Sequence, residues 1–127
     1  MNHISFTVPG VPVPKGRPKF GKGNVYTPKK TQDYEEKVKA FALIARQKAK
    51  QKVWTGPICV ELVFHVKGSW TSKPDLDNLI KSCLDGCKGV IFKDDSQIVD
   101  ISARKVAGYD ELKAVFNFFQ IDTPSRT

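Results

Sequence analysis

Lys73-Pro74-Asp75-Leu76-Asp77-Asn78-Leu79-Ile80-Lys81-Ser82-Cys83-Leu84-Asp85-Gly86-Cys87-Lys88-Gly89 decides how the chain is read. Leu76, Leu79, Ile80, Cys83, Leu84 and Cys87 recur at helical spacing and form one apolar stripe. Asp77, Lys81, Asp85 and Lys88 fall on the opposite, polar face. Asp75 or the residue after it opens this helix, and Gly89 is placed to end it. Lys93-Asp94-Asp95-Ser96-Gln97-Ile98 follows as an acidic turn. The two segments concentrate Asp75, Asp77, Asp94 and Asp95, with Lys81 among them, in a chain that is otherwise basic.

On either side of this helix the period changes from helical to alternating. Upstream, Ile58, Val60, Leu62, Phe64 and Val66 alternate with Cys59, Glu61, Val63, His65 and Lys67, which is a strand with one buried face. His65 lies opposite that face, where structural or exposed histidines outnumber catalytic ones. Downstream, Val99, Ile101 and Ala103 alternate into a strand ending near Gly108. Leu112 to Ile121 is another strand, apolar on both faces, which suggests a central position or a covered outer face. Gly68 to Pro74 is a polar connection holding Trp70, a large aromatic suited to packing, to partner contact or to stacking on a base.

The N-terminal part holds a short strand, His3 to Val8, and then a segment of four prolines and four glycines running from Pro9 to Gly23. That composition excludes a regular helix or a central strand and predicts a long exposed loop. Lys15, Arg17, Lys19 and Lys22, with Phe20 among them, suit either a phosphate-tracking arm with a base or sugar contact or a disordered, solvated connection. Thr27 and Pro28 read as N-cap and first residue of a helix running to about Lys50. Tyr34, Val38, Phe41 and Ala45 lie on its apolar face, and Lys29, Lys30, Lys37, Lys39, Arg46, Lys48 and Lys50 on its solvated face.

The chain has 127 residues, the size of one domain, here 1–127. The predicted class is α/β of the α+β type: a mixed β-sheet with two main helices packed on it. No apolar run approaches the roughly 20 residues that span a bilayer, and the N-terminus lacks a secretory pattern, so no membrane role is expected. Cys59, Cys83 and Cys87 form an odd set without framework spacing, read as free thiols in a reducing cytoplasm. With only two histidines, Cys83 and Cys87 are packing groups rather than metal ligands. Twenty-one Lys and Arg against 13 Asp and Glu give a net charge of +8, the electrostatic footprint of a nucleic-acid binder or of a merely basic soluble protein.

An acidic window inside a positive protein suits a hard metal ion held against a polyanion. Phosphodiester cleavage commonly uses Mg²⁺ on oxygen ligands with open positions for water and phosphate. Asp75 and Asp77 can supply one wall of such a site and Asp95 the other. Lys81, four residues after Asp77, can contact the scissile phosphate. Each residue also has an ordinary use. Asp75 can cap the helix, Asp77 can favour its dipole or pair with Lys81, and Asp94-Asp95-Ser96 can be turn chemistry.

The string Asp75-Leu76-Asp77-Asn78-Leu79-Ile80-Lys81, then Leu84-Asp85, then Asp94-Asp95-Ser96-Gln97-Ile98-Val99, resembles the RusA family of Holliday junction resolvases, whose signature runs D-x-D-N-x-x-K, a helix, then D-D-x-Q-[IV]. The match is strongest over residues 73 to 105 and weaker over the N-terminal strand, loop and first helix. The resemblance implies a homodimeric, Mg²⁺-dependent endonuclease, with Mn²⁺ able to substitute, that binds four-way DNA junctions and nicks two opposed strands symmetrically. It implies Asp75, Asp77 and Asp95 as catalytic carboxylates and metal ligands, and Lys81 as the essential lysine. Asp94 is the open member of its pair, a ligand, a group supporting the ligands or only a shaper of the turn, and Asn78 orients the site or caps the helix. Lys15, Arg17, Lys19, Lys22 and Lys73 are expected on the DNA. The dense basic run that some family members carry before the first aspartate is reduced here to Lys67 and Lys73, which shifts phosphate contact toward Lys15, Arg17, Lys19 and the first helix. A bacterial, phage or prophage setting follows from the same resemblance. Apolar groups on the last strand or around Val90-Ile91-Phe92 are the candidate dimer surfaces.

Overall fold

The computed structural model describes residues 2–21, 23–69, 71, 73–107 and 111–121, with the backbone alone at residue 19. The alternation of residues 58–66 becomes β4 (Ile58–Val66), whose Ile58, Val60, Leu62, Phe64 and Val66 are all buried. β5 (Ile98–Ala107) pairs with it in parallel, from Ile58 opposite Ile98 to Val66 opposite Ala107. β6 (Lys113–Gln120) lies antiparallel on the other side of β4, and β1 (His3–Pro9) lies antiparallel to β6. The order β1-β6-β4-β5 makes a mixed four-stranded sheet. β6 is internal, one of the two arrangements its apolar faces suggested. On its outer face the Phe119 ring is stacked under His3, with centroids 4.5 Å apart.

Two helices cover one face of this sheet. α1 (Lys29–Lys48) buries Thr31, Tyr34, Val38 and Ala42. It begins one residue later than expected: Pro28 holds the N-cap position with extended ψ, and no side chain caps the helix. α2 (Leu76–Cys87) buries Leu79, Cys83, Leu84 and Cys87, the stripe anticipated from its spacing. The class is therefore α+β with a mixed sheet, as expected. Both thiols on α2 are fully buried; burial pushes Cys83 up to about 12 and Cys87 well above its ordinary value, so they act as packing groups.

The core beneath the helices is built on Phe64, Phe92, Phe116 and Phe118. Trp54 joins it from the segment before β4, donating its backbone N–H to Ile91 O at 2.8 Å and its indole N–H to Gln51 Oε1 at 3.0 Å. Val90, Ile91 and Phe92 are buried here, which removes that run as a dimer surface. Gly89 explains the difference. At φ 85° it takes a left-handed turn that folds the run back, and its N–H reaches Phe92 O at 2.7 Å.

The proline- and glycine-rich segment is not one open loop. Residues 12–16 form a strap laid over both helices. Ser82 Oγ donates to Val13 O at 2.6 Å, Lys15 N–H to Asn78 O at 2.8 Å, and Gly16 N–H to Thr31 Oγ1 at 3.0 Å. Beyond it, β2 (Lys19–Gly21) and β3 (Asn24–Tyr26) pair as a small separate hairpin. Between them Gly23, at φ 81°, supplies the positive φ that tight hairpin turns need. Strands this short show no alternation long enough to be read from composition.

α1 and α2 approach closely at Gly86. A Cβ there would stand 2.9 Å from the Glu35 carbonyl oxygen and 3.0 Å from Val38 Cβ. The obstacle is partly backbone and cannot rotate away. Alanine would favour the helix by about 1 kcal/mol in isolation, but overpacking costs about 1–3 kcal/mol. Gly86→Ala is therefore expected to lower the urea midpoint; an unchanged or higher midpoint would show that the helices can separate without loss.

Candidate active site

Asp75 stands at the N-cap of α2, yet its side chain makes no capping bond. Its carboxylate instead meets Lys73 Nζ, 3.0 Å and 3.2 Å from the two oxygens, in an exposed pair. Such a pair exchanges readily with water and with other cations. Within the first turn of the helix, Asp77 is exposed, with Oδ1 accepting the Asn78 N–H at 3.0 Å. Lys105 on β5 donates to Pro74 O at 3.1 Å and so ties the start of α2 to the sheet edge.

The acidic turn is a short 3₁₀ segment, Asp95–Gln97, capped by Asp94. Asp94 Oδ2 accepts the Ser96 N–H at 3.0 Å and also the Ser96 hydroxyl. These bonds hold its carboxyl below the usual carboxylate range. Gln97 completes the capping box, its Oε1 accepting the backbone N–H groups of Lys93 and Asp94, both at 2.8 Å. Its Nε2 donates to Trp54 O at 2.8 Å and Gly56 O at 2.9 Å. All four hydrogen-bonding positions of this amide are thus used. Asp94 shapes the turn, Gln97 fastens it to the segment before β4, and Asp95 is left exposed with Lys88 Nζ 3.7 Å away.

Asp95 and Lys81 line one crevice of about 280 Å³ together with Leu84, Asp85, Ile98 and Ile101. Lys81 is exposed and has no ion-pair partner among the described residues. Asp85 is engaged from behind. Lys15 Nζ sits 2.8 Å from Glu35 Oε2 on α1 and 3.0 Å from Asp85 Oδ2 on α2, all three side chains being largely buried. Burial alone would lower the Lys15 pKa, but hydrogen bonds and charge from Glu35 and Asp85 outweigh it, and the group is raised above the ordinary lysine value. Its charge is committed to the interior, against the expectation that Lys15 reaches for DNA.

The remaining expected contacts are distributed unevenly. Arg17 is exposed. The side chain of Lys19, and Lys22 and Trp70 as a whole, lie outside the described residues. Lys73 is exposed but shared with Asp75. On α1, Arg46 donates to Val90 O at 2.8 Å and Lys37 bonds Pro9 O, so both are partly structural. Lys88, Lys105 and the anchoring role of Gln97 escaped sequence reasoning. Lys88 was legible only as one more cation on the polar face of α2, and Lys105 as a residue of a strand.

The chemistry of the donors suits a hard divalent cation, since Asp75, Asp77 and Asp95 offer only carboxylate oxygens and all three are exposed. Their spacing is open. At about 1.5 Å rise per residue, Asp85 stands roughly 15 Å along the helix axis from Asp75, and Asp95 shares its crevice with Lys81 and Asp85 in the middle of α2. Among the described residues no three such side chains close into one ligand shell. Mg²⁺ commonly takes only one or two carboxylates and fills its other positions with water and substrate phosphate, so an open row remains compatible with it.

A basic α+β domain presenting carboxylates and a lysine along one exposed helix face has the make-up of an enzyme that processes polyanions. The family model for Endodeoxyribonuclease RusA matches residues 9–113, and the chain belongs to that family. It is an endodeoxyribonuclease by that membership, and the matched span contains every site residue described above. The chain is also similar to Uncharacterized protein YqaN of Bacillus subtilis (strain 168), 33% identical over 83% of this chain and 88% of that protein. Among the described residues, no helix is long and apolar enough to cross a membrane.

Replacing Gln97 by leucine keeps the side-chain bulk and removes four hydrogen bonds. At about 0.5–1.5 kcal/mol each, partly offset by water at the exposed pair, Gln97→Leu should cost about 2–3 kcal/mol in chemical unfolding. Gln97→Glu keeps the acceptor but sets a carboxylate against the Trp54 and Gly56 carbonyls, and should fall no closer to wild type.

Proposed function

We propose that the protein is a Mg²⁺-dependent, structure-selective endodeoxyribonuclease that resolves Holliday junctions by paired symmetrical nicks, acting as a homodimer. The observation that carries this reading is the meeting of Lys81 and Asp95 in one open crevice, on a helix that begins with the exposed Asp75 and Asp77. Family membership supports the same chemistry.

In this reading the exposed row of Asp75, Asp77 and Asp95 would supply the carboxylate ligands, one or two to an ion that fills its other positions with water and substrate phosphate, and Mn²⁺ could replace Mg²⁺. When bound, the ion neutralises phosphate charge and lowers the pKa of water. Lys81 faces the scissile phosphate and balances the charge that builds on it in the transition state. Asp85, held by Lys15, keeps the back of the crevice acidic and rigid, so Lys81 extends toward solvent and substrate. Asp94 and Gln97 orient Asp95 by fixing its turn. Arg17, Lys19, Lys22 and Lys73 supply phosphate contacts, with the salt dependence that counterion release demands. Two equivalent cuts on one junction call for two equivalent sites, which a two-fold dimer supplies.

Cleavage of a synthetic four-way junction, mapped at nucleotide resolution with and without Mg²⁺, tests the proposal. Opposed nicks at symmetrical positions, abolished by EDTA, are expected. A single nick on a flap or fork, with the junction left intact, would move the assignment to a different branched substrate. Asp77→Asn should lower nicking by about 10³-fold and leave junction binding within about threefold. Lys81→Met should lower it by about 10²-fold. Full cleavage by Asp77→Asn with Mg²⁺ as the only metal would sink the assignment.

A further inference from the structure

The β2–β3 hairpin stands apart from the four-stranded sheet and carries three exposed apolar side chains: Phe20, Val25 and Tyr26, at 81%, 60% and 48% exposure. At 81% exposure, Phe20 is the most exposed large apolar side chain among the described residues. Phe20 and Val25 are directly opposite in the ladder and therefore share one face. Tyr26 lies on the other, and a Cβ at Gly21 would come 3.1 Å from its ring, so the edge of the ring approaches the glycine closely. The hairpin thus offers a free phenyl ring on one side and a braced phenol ring on the other.

Two further observations indicate what it receives. No Asp or Glu precedes Asp33, whereas Arg17, Lys19, Lys22 and Lys30 lie in or beside the hairpin segment. Arg17 and Lys30 are exposed. The strap leading into the hairpin is tied to α1 and α2 by Ser82, Asn78 and Thr31, and by the inward ion pairs of Lys15. A two-stranded hairpin alone is marginal in water; here its base is anchored, so its rings are presented with less ordering left to lose on binding. Three apolar side chains are also far short of the roughly 800 Å² per partner that a stable protein interface buries.

We propose that this hairpin is a nucleobase-stacking finger, with Phe20 as the principal stacking group and Tyr26 as the second. The ligand is an unpaired or unstacked nucleotide, bound through its base on the rings and its phosphates on the surrounding cations. The inference rests on the DNA-processing reading above and deepens it: bases inside a paired duplex have both faces covered, whereas a branch point or a single strand offers free ones. The hairpin would then favour branched over plain duplex DNA independently of the carboxylates.

Binding of the full-length protein to fluorescent oligo-dT and to a fully paired duplex, in EDTA, tests this without cleavage. The wild type is expected to bind the single strand. Phe20→Ala should weaken that binding by about 10-fold, within the range for losing one base–aromatic stack, and change duplex binding less than twofold. Phe20→Trp should restore affinity and Phe20→Leu should not, since leucine is apolar but has no π-face. The salt slope should match wild type in all three variants. Parallel loss on single strand and duplex would overturn the proposal, as would wild-type affinity in Phe20→Leu. A shift in sedimenting mass on Phe20→Ala would also overturn it, because the occupant would then be a second copy of the chain. Failure of the wild type to nick any branched substrate in Mg²⁺ would refute the nuclease reading while leaving the single-strand measurement interpretable.

Discussion

Parallel pairing of β4 with β5 is the constraint on which the rest of the molecule depends. Two parallel neighbours cannot be joined by a tight turn, so the chain must cross the sheet between them. α2 is that crossover. Its apolar stripe is consumed by the sheet and by α1, and its polar face, with Asp77, Lys81 and Asp85, is left at the sheet edge beside β5. β5 and the turn before it then meet α2 at its start and along its middle. Lys105 holds the turn before Asp75, and the acidic turn preceding β5 brings Asp95 alongside Lys81. Lys81 and Asp85 on the helix and Asp95 from elsewhere become neighbours because the turn before this strand runs beside the helix.

Charge in this protein is divided between inward and outward uses. A net charge of +8 describes neither. Lys15 bridges Glu35 and Asp85, and Arg46 and Lys37 hold backbone carbonyls. A partly buried ammonium loses hydration, and two carboxylates restore what one alone would restore less completely. That arrangement fastens the strap to both helices, and the strap sets where the hairpin stands. Cations farther along, such as Arg17 and Lys30, remain in solvent. The same lysine-rich composition therefore serves packing at one end of the segment and phosphate attraction at the other.

Most of the architecture was legible because it rests on local periodicity. β4 alternates without interruption over nine residues, and α2 repeats its apolar groups at helical spacing over twelve. Apolar residues on both faces of β6 narrowed it to an internal strand or one with a covered outer face, and the sheet order shows the first. The three-residue strands of the hairpin were not legible, since so few residues define no period and prolines and glycines around them read as loop. Trp54 and the Val90–Phe92 run lie outside any periodic segment, and only their meeting in the core shows that they are interior.

The sequence by itself determined the two periods, the acid-rich helix with Lys81 one turn beyond Asp77, and the motif that ties Asp95 to them. The two periods and the Asp77–Lys81 spacing are set by residues within a few positions of one another, and the motif reaches Asp95 only as a fixed spacing along the chain. Tertiary structure alone decided which long polar side chains are free and which are committed. It turned Lys15 inward to Glu35 and Asp85, used Asp94 to shape a turn, gave Gln97 four partners and left Lys81 open to the crevice. The physical reason is that the partner of a flexible charged group is chosen by proximity in space, across elements distant in the chain, and a one-dimensional pattern carries no distance between them.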